Sequence, residues 1–220
     1  MNISNWMRKI RDVKYDILVY PSAIVPQNMT PEQGEEYCNW FFSKIPERME
    51  YFRRRCALDQ LISPDLLDYS PESLVLVWRW FLGIARTEKT PQAYRAAMES
   101  GAKIFGESYI PRRVLSVISQ FILHDIAMYV GECFVRNKDS LYWCYIPLEK
   151  EDICYNQPAV SRFRIVTEIP LPKGETMTVE GDADFHPIHM VGVQAARILH
   201  GAAKENDLYN IFMKWLNWAI

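Results

Sequence analysis

Hydrophobic and polar positions follow two different periods along this chain. Helical spacing dominates the first part. Leu74, Val77, Trp78, Phe81 and Leu82 recur three and four apart, the pattern of a helix with one buried face. Ser70 can cap that helix and Pro71 suits its first position, while Ser73 stands where a capping-box Glu would. Thr30-Pro31-Glu32-Gln33 is a similar start, followed by Tyr37, Trp40 and Phe41. Pro46 is expected to break or restart that helix before a second stretch from Glu47 to about Leu58. Gln92 to Ser100 predicts another helix, closed near Gly101. The most apolar helical pattern starts near Pro111 and ends near Asn137. Leu115, Ile118, Ile122, Ile126, Tyr129 and Cys133 form its stripe, and Val114, Val117, Phe121 and Val130 cover much of the rest. A helix apolar on most sides belongs at the centre of a fold.

The period then changes to two. Leu141 to Ile146 is rich in strand formers and stops at Pro147. Ser161 to Ile169 alternates, with Phe163, Ile165 and Thr167 on one face and Arg162, Arg164 and Glu168 on the other. These two segments are expected to pair as a small antiparallel sheet, with Asn156-Gln157-Pro158 marking a loop between them. Pro170 to Gly181 reads as a surface loop or hairpin, His189 to Gly201 and Asp207 to Ala219 as helices. Lys14 to Val25 reads as a short edge strand or an extended lead-in. There is no internal repeat and no low-complexity tract. The expected fold is therefore α+β and mainly helical, a single globular domain over residues 1–220: a helical body around a buried central helix (about 111–137), a small antiparallel sheet (about 141–169) and C-terminal helices.

Composition narrows the function classes. Hydrophobic residues make up 49% and charged residues 24%, which argues against disorder. A formal net charge of -2 gives no electrostatic basis for nucleic-acid or anionic-membrane binding. The apolar segment from Val114 to Val135 contains His124, Asp125 and Glu132, so it is expected in a core and not in a bilayer. Met1 to Arg11 lacks an apolar stretch with a small-residue cleavage site. The five cysteines are odd in number and form no CxxC pair. Together these predict a cytoplasmic protein with reduced thiols. The 7 Trp, 12 Tyr and 10 Phe suit either a well-filled core or a protein interface.

Four groups of residues could carry chemistry. Asp182, Asp184, His186 and His189 have the donor types for zinc or another divalent metal, with the two histidines three apart. Pro187 lies between those histidines, and the internal Glu of an HExxH site is absent, so a polar helix start explains them as well. Asp125 and Glu132 lie seven apart on one face of the central helix. Their rise separation of about 10 Å is too long for one carboxylate dyad acting on a single bond, and Glu132 can pair with Arg136 four residues on. Arg53-Arg54-Arg55 beside Tyr51-Phe52 has the grammar of single-strand binding, but Glu47 and Glu50 dilute it and basic residues also favour a helix end. From Glu149 to Asp184 acids outnumber bases. An acidic surface with Glu180, Asp182, Asp184 and the aromatics Tyr155 and Phe185 would suit a basic partner protein, and would equally serve solubility. Glycine-rich phosphate loops, a GxSxG elbow and EF-hand spacing are absent.

The run Leu67-Asp68-Tyr69-Ser70-Pro71-Glu72-Ser73-Leu74 with Trp78-x-Trp80-Phe81, then Asp125 to Glu132, then Asn156-Gln157-Pro158, resembles a pattern in uncharacterised small bacterial proteins that are themselves similar to toxin-immunity proteins. The resemblance covers the middle of the chain and implies no catalytic residues. The expectation is a non-enzymatic bacterial protein that uses no cofactor and blocks a protein partner with its acidic C-terminal half, as an immunity protein neutralises a toxin. The alternative is a small metal-dependent hydrolase using Asp182, Asp184, His186 and His189. A third reading is a structural oligomer joined through Trp-rich faces.

Overall fold

The computed structural model describes residues 15–20, 25–99, 110–170 and 176–220. The fold is α+β and mainly helical, as the two periods predict. Helix α1 (Pro31–Gln60) starts at Thr30, whose side chain accepts from the Gln33 backbone N–H while the Gln33 side chain accepts from the Thr30 N–H. That reciprocal pair satisfies two donors a helix start leaves open. Pro46 does not break α1, which runs for 30 residues. Pro46 itself is exposed, whereas Ile45 and Met49 are buried. Solvent on the proline side can serve the carbonyl left without a donor, and the packed face holds both halves in line.

Helix α2 (Ser73–Ile84) follows a turn in which the Ser70 hydroxyl accepts from the Ser73 N–H. A two-stranded antiparallel sheet that the pattern does not announce joins β1 (Thr87–Lys89) to β2 (Arg113–Leu115). Between them lies the short helix α3 (Gln92–Ala97); the expected closure at Gly101 falls outside the described residues. The central helix α4 spans Val117–Asn137, so it starts later than Pro111. The reason is local: Arg113 to Leu115 pair with β1, and the Ser116 side chain caps the helix by accepting from the Ser119 N–H.

The second sheet has the order β3 (Tyr142–Tyr145), β4 (Pro158–Pro170), β5 (Thr176–Phe185), all antiparallel. The pairing of β3 with β4 is as expected. The segment read as a loop or hairpin up to Gly181 is instead largely β5, the second arm of a long ribbon with β4. Trp143, Val160 and Phe185 stand opposite one another across the three strands. A bulge between Val160 and Phe163 inserts an extra residue, which turns Phe163 to the same face. Helix α5 (Pro187–Ala196), a 3-10 turn (Arg197–His200) and helix α6 (Asp207–Leu216) close the chain.

The core forms around α4. Ile126, Ala127, Met128, Tyr129, Val130, Cys133 and Phe134 are fully buried. They pack with Phe41, Met49 and Phe52 of α1, Trp78 and Phe81 of α2, Phe163 and Phe185 of the sheet, and Phe212 of α6. Gly131 of α4 admits Trp143, since a Cβ there would stand 2.0 Å from the indole ring. None of the described helices is long and apolar enough to cross a membrane.

Candidate functional site

The predicted metal ligands follow one another through the end of β5 into α5, and the structure does not gather them. Period two places Glu180, Asp182 and Asp184 on the outer face of β5. Glu180 and Asp182 are exposed, and Asp182 meets Arg164 at 3.4 Å across the ribbon. His186 immediately precedes α5, and His189 lies in its first turns. Burial lowers the His186 pKa, partly opposed by Asp184, and His186 Nδ1 is buried without a partner. Among the described residues no group of three or more His, Cys, Asp or Glu side chains could hold a metal ion.

Two aromatic residues expected on the acidic surface are interior. Phe185 is fully buried against Phe134 and Trp215, and Tyr155 is buried with its hydroxyl donating to the Met29 carbonyl at 3.3 Å. Alternation explains Phe185: it lies one position from Asp184 and so faces the opposite side of the sheet.

The two acids of α4 are partnered. Asp125 is 1% exposed and takes both arms of the Arg48 guanidinium, Nε to Oδ1 and Nη2 to Oδ2, each at 2.7 Å. The Tyr15 hydroxyl donates to the same carboxylate. Burial pushes the Asp125 carboxyl upward in pKa, while Arg48 and Tyr15 oppose that push. Glu132 accepts from Arg136 Nε at 2.9 Å and from the Trp143 indole N–H at 3.0 Å. These acids hold elements together. Arg53 donates to the carbonyls of Leu67 and Pro64, Arg54 pairs with Glu50, and Arg55 pairs with Asp59, so the basic run is built into its own surroundings. Burial also raises the thiols, Cys38 to about 12 and Cys144 and Cys154 to about 11, which leaves them poor nucleophiles at neutral pH.

Two open features among the described residues bear on binding. One is the ribbon tip. The face that carries Phe163 into the core continues outward with Ile165, Ile169, Met177 and Val179, because Ile169 stands opposite Met177 and Thr167 opposite Val179. Ile169, Met177 and Val179 are 40%, 44% and 42% exposed. β5 is also an edge strand of its sheet.

The other is a groove of about 470 Å³ between the lead-in to α1, the face of α1 bearing Tyr37, Trp40 and Phe41, and the face of α4 bearing Phe121, His124 and Met128. The tight turn at Tyr155-Asn156-Gln157 braces one end. Asn156 takes a left-handed φ of 56°, which Asn tolerates better than most residues. Its fully buried amide donates to the carbonyls of Pro26, Met29 and Thr30 and accepts from the Tyr145 hydroxyl. Gln157 lines the groove beside it. The turn signal was legible in the sequence; the groove was not, since its walls come from segments far apart in the chain.

Comparison with protein-family models, with curated proteins and with solved structures found no match.

Proposed function

We propose that this chain is a non-enzymatic, protein-binding protein, and that the β4–β5 ribbon receives the partner. The observation that carries this reading is the ribbon itself: an edge strand with acids on one face and an uncovered apolar patch on the other. An added strand would gain main-chain hydrogen bonds along β5 and cover Ile169, Met177 and Val179. Glu180, Asp182 and Asp184 would favour a basic partner and speed its approach. A two-stranded ribbon is marginal in water without something packed on its apolar face, which supports a partner there. Neutralisation of a basic toxin is the specific form of this reading that fits the resemblance in the middle of the chain. The hydrolase alternative loses support because its four residues are not assembled.

A photo-crosslinking residue at Val179, with Leu58 of α1 as the exposed control position, tests the reading in the source cell. One discrete adduct is expected from position 179 and none from 58. Glu180→Lys with Asp182→Lys should reduce its yield at least tenfold. Absence of an adduct, equal adducts at both positions, or an adduct indifferent to charge reversal would overturn it. The immunity form predicts that co-expression with a toxin encoded beside this gene restores growth, and that the charge-reversed variant does not.

A further inference from the structure

Taking the ribbon as the partner's site, we infer that the open edge of β5 receives an extended, antiparallel segment of the partner in which basic and apolar residues alternate, with an aromatic ring lying over Gly181. The main chain sets the docking. The Arg164 N–H donates to the Trp218 carbonyl at 2.7 Å and the Ile220 N–H to the Arg162 carbonyl at 3.1 Å, on the side of β4 away from β5. Beyond the bulge, the even-numbered residues of β4 therefore turn their main-chain groups away from β5, and the odd-numbered ones exchange hydrogen bonds with it. Arg164 stands opposite Asp182, Val166 opposite Glu180 and Glu168 opposite Thr178. Antiparallel alternation then turns the N–H and C=O of Thr178, Glu180 and Asp182 to the open edge. Among the described residues no main-chain hydrogen bond reaches them there.

The side chains set the sequence of the segment. Glu180 and Asp182 lie on the outer face, two positions apart. Asp182 meets Arg164 across the ribbon at 3.4 Å, whereas Glu180 stands opposite Val166. Basic residues on an added strand, opposite these acids, supply countercharge. Two β5 edges paired about this stretch would set acid against acid, which disfavours a second copy of the chain as the occupant. Gly181 lies between the acids and shares the apolar face with Val179, opposite the half-buried Ile165. Its φ is not the left-handed one that favours glycine, and a Cβ there would meet nothing within 4 Å. Glycine inside a strand weakens it and often marks the close approach of another backbone or a ligand. Here it leaves an open space beside Ile165 that a ring on the neighbouring strand covers, as aromatic residues do for edge glycines. Against Asp182, Gly181, Glu180, Val179 and Thr178 in turn, the segment is basic, aromatic, basic, apolar and polar.

A capped synthetic peptide, Thr-Lys-Phe-Lys-Val-Thr-Val, titrated into the full chain and followed by amide NMR, tests this. On binding, the amides of Thr178, Glu180 and Asp182 should gain protection from hydrogen exchange, while those of Val179 and Gly181, already turned to β4, change little. N-methylation of the second Lys, whose N–H faces β5, should weaken binding at least tenfold; N-methylation of Phe, whose N–H faces away, should not. Exchanging both Lys for Glu should abolish binding. Exchanging Phe for Ala should weaken binding at least fivefold, and that preference should vanish in Gly181→Val, whose side chain occupies the open space. Should this variant fail to fold, the Gly181 α-protons of the unmodified protein provide the readout: the Phe ring should shift them, and the Ala peptide should not. The proposal is overturned if the peptide does not bind at millimolar concentration, if protection falls on other amides, if both N-methylated peptides bind alike, if the Glu peptide binds as well, or if neither Gly181 readout responds to the ring. Failure of the peptides beside a discrete cellular adduct at position 179 would overturn this segment and leave the ribbon as the partner's site; failure of both would overturn the two together.

Discussion

Arg48 of α1 and Asp125 of α4 form a two-pronged ion pair, both contacts 2.7 Å long, with Arg48 6% and Asp125 1% exposed. The pair joins the two longest helices inside the core and draws in Tyr15 from the lead-in. Removing one partner leaves an uncompensated buried charge. Asp125→Asn is therefore expected to cost about 3–5 kcal/mol in urea unfolding. The double replacement Arg48→Met with Asp125→Leu should cost clearly less than Asp125→Asn, because it leaves no charge behind. Equal losses would show that the pair acts through shape and not through charge.

Gly34 and Asn156 are a second dependent pair. A Cβ on Gly34 would stand 2.1 Å from the Asn156 Oδ1. Asn156 cannot yield easily, since three carbonyls and the Tyr145 hydroxyl hold its amide. Gly34→Ala should destabilise by about 1–3 kcal/mol. Combined with Asn156→Ala, the total should fall short of the sum of the single losses, because the clash disappears with the amide. A thermal-melting double-mutant cycle reads this directly.

The burial of His124 sets a pH dependence. Its native pKa lies below that of the unfolded chain, so the unfolded state binds more protons as the pH falls. Stability from this group is complete above about pH 6.5 and is lost below it, down through the native pKa. His186 shifts the same way and adds to the effect. The histidine contribution to the unfolding free energy should decline from pH 7 to pH 5, by at most about 1.4 kcal/mol per pH unit for each histidine, while Asp125, whose carboxyl burial pushes upward in pKa, contributes in the opposite sense. His124→Gln should flatten that slope, and an unchanged slope would refute the assignment.

Val179 and Phe185 lie in the same strand and should behave oppositely. Val179 faces an uncovered patch, and Val179→Thr should change stability by no more than about 0.5 kcal/mol. Phe185 sits among Phe134, Phe163 and Trp215, and Phe185→Ala should cost about 3–5 kcal/mol. Denaturant unfolding of both variants separates the ribbon tip from the core. A large loss at Val179 would mean that its face is covered within the folded chain.

Much of this fold is written in local pattern. Thr30 with Gln33, the stripe of α4 from Ile122 to Cys133, and the alternation that pairs β3 with β4 each depend on neighbours a few residues apart, and local geometry is what a sequence displays. Where neighbours are distant, only the tertiary structure decided. Pro46 stays within α1 because its exposed face needs no partner while Ile45 and Met49 are held by the core. Thr176 to Phe185 became a strand because β4 supplied a ladder that its acidic and glycine-containing sequence does not advertise. Asp125 could be seen to need a cation, but not that the cation would be Arg48, 77 residues away. The groove and the unpartnered Gln157 oxygen are the extreme case. Tyr20, Trp40, His124 and Gln157 become one surface only when the core closes, since hydrophobic burial fixes which helices meet but no short-range pattern names the cavity they leave.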